Sequence, residues 1–179
     1  MRVIAGEFRS RRLRAVPGRE TRPTPDRLRE ALFNILQPRI EGCVFLDAYA
    51  GTGAVGIEAV SRGAASAILI EKSPQAVAVI EDNVRSLGIE TRCRVVRGSV
   101  RLFLPRYPAD IVFLDPPYDQ PKEYELGLQI LGDTAPSLVI VQHHAKQHLP
   151  ETPGAMTRFR ILTQGENCLS FYRPDDGRP

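Results

Sequence analysis

The chain has 179 residues, 42% of them hydrophobic, which is enough for one packed domain and too few for two full ones. No apolar run approaches the roughly 18 residues of a membrane span, and the basic stretch from Met1 to Arg14 leads into no apolar segment of a signal peptide. The net charge of +3 is unevenly placed: residues 1–40 hold ten arginines and four acids, so the remainder is net acidic. An arginine-only arm on a near-neutral body points to a phosphate-rich partner, nucleic acid above all, because guanidinium forks match phosphate oxygens. A solvated, arginine-rich tail is the plainer alternative. Cys43, Cys93 and Cys168 are scattered, with no C-x-x-C pair, and read as reduced thiols of a cytoplasmic protein.

In chain order, Val3–Phe8 and Arg12–Val16 read as two short strands of a hairpin turning at Arg9, Ser10 and Arg11. Pro17-Gly18 breaks the chain. Thr24 is placed to cap a helix, Pro25 to occupy its first turn and Asp26 to suit its positive end. Leu28, Ala31, Leu32, Ile35 and Leu36 then recur at helical spacing until Pro38 ends the helix. Strands at 44–46, 67–70, 92–96, 111–114 and 138–141 alternate with helices at 54–62, 74–87, 99–104 and 123–131. Such alternation predicts a parallel sheet covered on both faces. The last two strands, at 157–162 and 168–172, are joined by five residues without a helix, so an antiparallel hairpin closes the sheet. The fold class expected is therefore α/β and Rossmann-like. Residues 1–22 form a basic hairpin extension, and residues 23–179 the main domain.

Two turns carry the chemistry. At the first, Leu46 leads into Asp47-Ala48-Tyr49-Ala50-Gly51-Thr52-Gly53-Ala54-Val55-Gly56. The glycines alone spell G-x-G-x-x-G, a weak match that a dinucleotide site shares. Asp47 argues against pyrophosphate, which a carboxylate repels. It suits instead the ammonium of a methionine moiety, as in S-adenosylmethionine. Glu71 closes the second strand, where an acid accepts bonds from ribose hydroxyls. The bland reading makes Asp47 a helix cap and Glu71 an ordinary strand-end acid. At the second turn, the apolar run Ile111–Leu114 enters Asp115-Pro116-Pro117-Tyr118. The Asp115 carboxylate and the Pro116 carbonyl are two acceptors for the two N–H bonds of an amino group on a base. Held so, the nitrogen lone pair turns out of the ring plane toward a methyl donor. The prolines stiffen the backbone, and Tyr118 offers a face for base stacking. A turn that merely ends a strand has a similar composition.

Together these residues resemble the bacterial 16S ribosomal RNA guanine-N2 methyltransferases of the RsmD type, over nearly the whole chain. The resemblance rests on Thr21-Arg22-Pro23-Thr24 with Asp26-Arg27 and Arg29–Asn34, on Leu46–Ala64, and on Asp115-Pro116-Pro117-Tyr118. It implies a mostly parallel seven-stranded S-adenosylmethionine-dependent methyltransferase sheet with an N-terminal hairpin that helps hold RNA. It also implies a target guanine amine in 16S ribosomal RNA, presented by the RNA or by a small ribosomal subunit particle. The residues expected to be catalytic are Asp115, Pro116, Pro117 and Tyr118. Those expected at the cofactor are Asp47, Tyr49, Ala50, Gly51, Thr52, Gly53, Glu71, Lys72, Ser99 and Val100. Ser99 and the strand end Val141-Gln142-His143-His144 depart from the family pattern, which usually has an acid at each place. Arg9, Arg11, Arg12, Arg22 and Arg27 are the RNA-binding candidates, with ion pairs to Asp26 or Glu30 as the alternative for Arg22 and Arg27. His143, His144 and His148 lack an acid or cysteine to complete a metal set and read as surface or loop histidines, so no metal is expected. A monomer without membrane attachment is the default. The competing activities are a DNA adenine or protein glutamine methyltransferase, an NAD-dependent oxidoreductase and a non-catalytic RNA-binding protein.

Overall fold

The computed structural model describes residues 1–17 and 26–175. The elements run α1 Asp26–Ile40, β1 Val44–Asp47, α2 Ala54–Ser61, β2 Ser66–Glu71, α3 Pro74–Leu87, β3 Cys93–Arg97 and α4 Val100–Phe103. A 3₁₀ turn at Leu104–Arg106 follows, then β4 Ile111–Leu114, α5 Pro121–Thr134, β5 Leu138–His144, β6 Met156–Gln164 and β7 Asn167–Pro174. The sheet order is β3-β2-β1-β4-β5-β7-β6. β1 to β5 are parallel, and β7 pairs antiparallel with both β5 and β6. The expected α/β sheet and its closing hairpin are therefore present.

Strand alternation builds two faces. Phe45, Ile111, Phe113 and Ile140 meet Leu28, Leu32, Phe33 and Leu36 of α1. Leu46, Val112, Leu114, Val139 and Val141 point the other way, toward Tyr124, Leu128 and Leu131 of α5. From β1 the chain moves outward through β2 and β3, then crosses back to β4 on the other side of β1. That reversal leaves a crevice at the carboxyl ends of β1 and β4, the ligand position of open α/β sheets.

Three elements differ from the reading above. α1 continues through Pro38 to Ile40. A proline in the last turn costs one backbone bond, and burial of Ile40 offsets the loss. β5 extends to His144 because β7 pairs with it as far as His144 opposite Asn167. This also corrects the histidine reading: His143 is buried, its Nε2 2.9 Å from Ser170 Oγ, and burial lowers its pKa.

The N-terminal hairpin shrinks to a single antiparallel bridge, Arg2 opposite Arg12. The Val3 and Leu13 amides still donate across it, to the Arg11 and Met1 carbonyls at 3.0 and 3.1 Å, but four others turn to α2. The amides of Ile4 and Ala5 donate to the Glu58 carboxylate at 2.7 and 3.0 Å, Glu7 N–H to the Ser61 carbonyl at 2.8 Å, and Phe8 N–H to Ser61 Oγ at 3.0 Å. Val3 and Leu13 join the cluster of Ile57, Val60 and Ile80, so residues 1–17 are docked on α2 and α3. The expected boundary at residue 22 lies outside the described residues.

Glu58, fully buried on α2, organises this docking. Besides the two amides it accepts Arg62 Nε at 2.8 Å. Replacing it strands those donors, so Glu58→Gln should lower unfolding stability by about 3 kcal/mol, the scale for breaking a buried charge network. Urea unfolding checks this. A loss below about 1 kcal/mol, the scale of an ordinary substitution, would mean that Val3, Leu13 and the Ser61 bonds hold the arm without Glu58.

Candidate active site

A cleft of about 620 Å³ opens where β1, β2 and β4 end. Asp47, the last residue of β1, is 1% exposed, and its Oδ2 accepts the Gly56 amide at 3.1 Å. A Cβ on Gly56 would stand 2.9 Å from Leu69 Cδ2, so glycine there lets α2 lie close against the sheet. Burial pushes the Asp47 carboxyl up to about 7; the Gly56 amide opposes the shift and the Glu71 charge adds to it.

Gly51 takes a left-handed φ of 57°, and its amide donates to Glu71 Oε2 at 3.0 Å. Glu71 Oε1 accepts the Ser73 amide at 2.8 Å. Two backbone bonds thus hold the Glu71 carboxylate at the rim, and each oxygen keeps further lone-pair capacity. Tyr49, Ala50 and Thr52 line the cleft with Gly51, and Lys72, Ser99 and Val100 line it beyond Glu71. The Ser99 hydroxyl makes no capping bond to α4. Gly53 is the exception among the expected cofactor residues. It lies off the lining, at φ 78°, and its Cβ position faces Leu69, Ile80 and Ile57. Its place is the cap of α2, under the loop.

The second turn borders the same cleft. Asp115, Pro116, Pro117 and Tyr118 all line it. Gln142 Nε2 donates to Asp115 Oδ2 at 3.1 Å from the buried part of β5. Tyr124 donates its hydroxyl to the Pro116 carbonyl at 3.3 Å. Tyr118 is 39% exposed, donates to Asn167 Oδ1 at 2.9 Å and meets His144 edge to face. Asp115 and Pro116 are thus positioned by side chains from β5 and α5, and Tyr118 by β7.

Sequence reading missed Arg29, Glu123 and, as an orienting residue, Gln142, all of which line the cleft. Glu123 accepts the Tyr49 hydroxyl at 2.7 Å, and burial together with this bond raises the Tyr49 pKa. Nothing local marks Glu123. Arg29 did carry a signal, since it shares one helix face with Leu32, Phe33 and Leu36.

Arg9, Arg11, Arg12 and Arg27 lie outside the lining. Arg9, Arg12 and Arg27 are exposed and form no ion pair among the described residues; Asp26 pairs with Arg29 instead. Arg11 donates to the Ser86 carbonyl at 3.0 Å. Arg22 falls outside the described residues.

A family model described as conserved hypothetical protein 95 matches residues 1–173. The ribosomal RNA small subunit methyltransferase D of Escherichia coli K12 is 34% identical over 97% of this chain and 89% of its own length. The chain belongs to this family. Among solved structures, Escherichia coli yhhF superposes with a TM-score of 0.86 at 34% identity, covering 98% of each chain. An RNA methyltransferase from Salinibacter ruber, in complex with S-adenosyl-L-homocysteine, shares the fold at a TM-score of 0.67 and 16% identity, over 88% of this chain and 96% of that one. Family membership leaves the dinucleotide reading of the glycine loop without support.

Proposed function

We propose that this protein methylates the exocyclic N2 amine of a guanine in 16S ribosomal RNA, using S-adenosylmethionine. The observation that carries the reading is the single cleft shared by Asp47, Gly51 and Glu71 on one side and Asp115 to Tyr118 on the other. These residues fit the cofactor. Asp47 is an acceptor for its ammonium, Glu71 for its ribose hydroxyls, and the Ser99 hydroxyl for the adenine amine. S-adenosylmethionine supplies a methyl group already activated on sulfur.

The protein's part is positioning and electrostatics. The Asp115 carboxylate accepts one N–H of the guanine amine, and the Pro116 carbonyl accepts the other. Tyr124 uses one lone pair of that carbonyl, and a carbonyl has two. Gln142 keeps the Asp115 carboxylate in one orientation. Tyr118 stacks on the base after it leaves its helix. The same carboxylate is placed to take the proton the amine gives up. Arg9, Arg11, Arg12, Arg22 and Arg27 hold RNA phosphates around the cleft, and the chain acts as a monomer on the RNA or on a small-subunit particle.

The test uses labelled S-adenosylmethionine, the purified protein, and small-subunit particles from cells lacking its gene. After digestion, the label should appear in N2-methylguanosine at one site. Deproteinised RNA run in parallel tells whether the particle is needed. Cofactor binding without label in RNA would sink the ribosomal reading and direct the search to DNA or protein amides.

A further inference from the structure

Arg29 begins an apolar stripe. Arg29, Leu32, Phe33, Leu36 and Ile40 follow at helical spacing, and all are buried. A guanidinium has five N–H donors, and burying them without acceptors is costly. Nη2 is served by the Arg2 carbonyl at 2.6 Å and Asp26 Oδ1 at 3.1 Å. Nε faces Glu58 Oε2 at 4.0 Å, beyond hydrogen-bond length. Among the described residues, neither Nε nor Nη1 has a hydrogen-bond partner. Glu58 is committed to Ile4, Ala5 and Arg62, and Arg29 itself lines the cleft with Ala54 and Val55 at the start of α2.

We propose that Arg29 receives the carboxylate of the methionine moiety of S-adenosylmethionine. The inference rests on reading the cleft as that molecule's site. The moiety carries one ammonium and one carboxylate. Asp47 can serve only the ammonium. Away from water the carboxylate needs N–H donors, preferably charged ones. Among the described residues lining the cleft, the cationic groups are the Arg29 and Lys72 side chains and the amine of Met1, an exposed residue. Lys72 is exposed and follows Glu71, on the ribose side. Arg29 is closed to solvent and has donors to spare. A backbone phosphate of RNA is the competing anion. A bulky strand passing across the rim cannot reach a side chain so enclosed, whereas a carboxylate inside the cleft meets Nε or Nη1 once the Arg29 side chain shifts toward it.

Calorimetric titration of the full chain decides the matter, with S-adenosylhomocysteine and its decarboxylated counterpart as ligands. The wild-type protein should bind the carboxylated ligand about 10- to 100-fold more tightly, the scale of a charge-assisted hydrogen bond. Arg29→Met should bring that affinity down to the decarboxylated level and leave the decarboxylated ligand unaffected. Arg29→Lys should recover part of the loss. Equal wild-type affinity for the two ligands overturns the proposal, and that comparison needs no variant to fold. An equal loss for both ligands in Arg29→Met also overturns it, in favour of a structural role. Unchanged S-adenosylhomocysteine affinity with weakened RNA binding overturns it in favour of a phosphate. If the wild-type protein binds neither ligand, the reading of the cleft itself falls.

Discussion

Asp115→Ala should lower kcat for methyl transfer to the RNA by about a thousandfold, the scale for removing one preorganised polar group from an active site, with RNA and cofactor affinities nearly unchanged. The amine of a guanine is a poor nucleophile because its lone pair is delocalised into the ring. Asp115 is the only charged acceptor in the second turn's half of the proposed constellation, and Gln142 Nε2 orients it at 3.1 Å. Without it the Pro116 carbonyl holds one N–H bond and nothing fixes the other. The remaining contacts to base, phosphates and cofactor lie on other residues, so KM for RNA should barely move. Single-turnover rates with labelled cofactor, beside filter binding of the RNA, separate these quantities. A drop of less than about tenfold would remove Asp115 from the reaction. A matching loss of RNA binding would make it a docking residue instead.

Asp47→Asn should stabilise the ligand-free protein at high pH while weakening cofactor binding. Burial holds the Asp47 carboxyl at about 7 in the folded chain, against about 3.9 in an unfolded one. A raised carboxyl pKa means that the folded state binds the proton more tightly. The contribution to stability is then complete below the unfolded value and is lost as pH rises through 7. The difference corresponds to at most about 4 kcal/mol. An amide at this position carries no charge to desolvate and can still accept the Gly56 amide bond. The variant should therefore gain up to about 4 kcal/mol over the wild type at pH 8 and almost nothing at pH 4. Urea unfolding at the two pH values measures the gap, and an equal gap at both would sink the argument. In the wild type, affinity for S-adenosylhomocysteine should rise with pH up to about 7, because pairing with the ligand ammonium needs the ionised carboxylate. Asp47→Asn should bind weakly and show no such rise. On this proposal the same buried carboxylate would weaken the free protein and serve the ligand, a trade-off common at functional sites.

Most of this architecture was legible because it rests on local rules. Continuous apolar runs at 44–46, 111–114 and 138–141, and helical spacing in between, dictate strands and helices wherever the chain lies. The short, helix-free link between β6 and β7 dictates a hairpin. Gly51, Asp47, Glu71 and the Asp115 turn could be assigned to strand ends because the carboxyl edge of an open α/β sheet is where ligands go. In each case the cause lies within a few residues of the effect.

Where the partner came from far along the chain, local rules failed. The arm read as two strands, yet four of its amides found acceptors on Glu58 and Ser61, more than fifty residues away. Gln142 to His144 lie beyond the apolar run at 138–141, and β7 supplied the ladder that carries the strand through them. Arg29 belongs by sequence to a basic arm that suggested RNA, and the packing of α1 turned it inward instead. The residues that orient the second turn come from β5, α5 and β7. Periodicity, turn chemistry and the motif residues thus specify the elements and the kind of chemistry. Burial and hydrogen-bond pairing between distant segments decide which charged groups face the cleft, because both are set only when the layers close on one another.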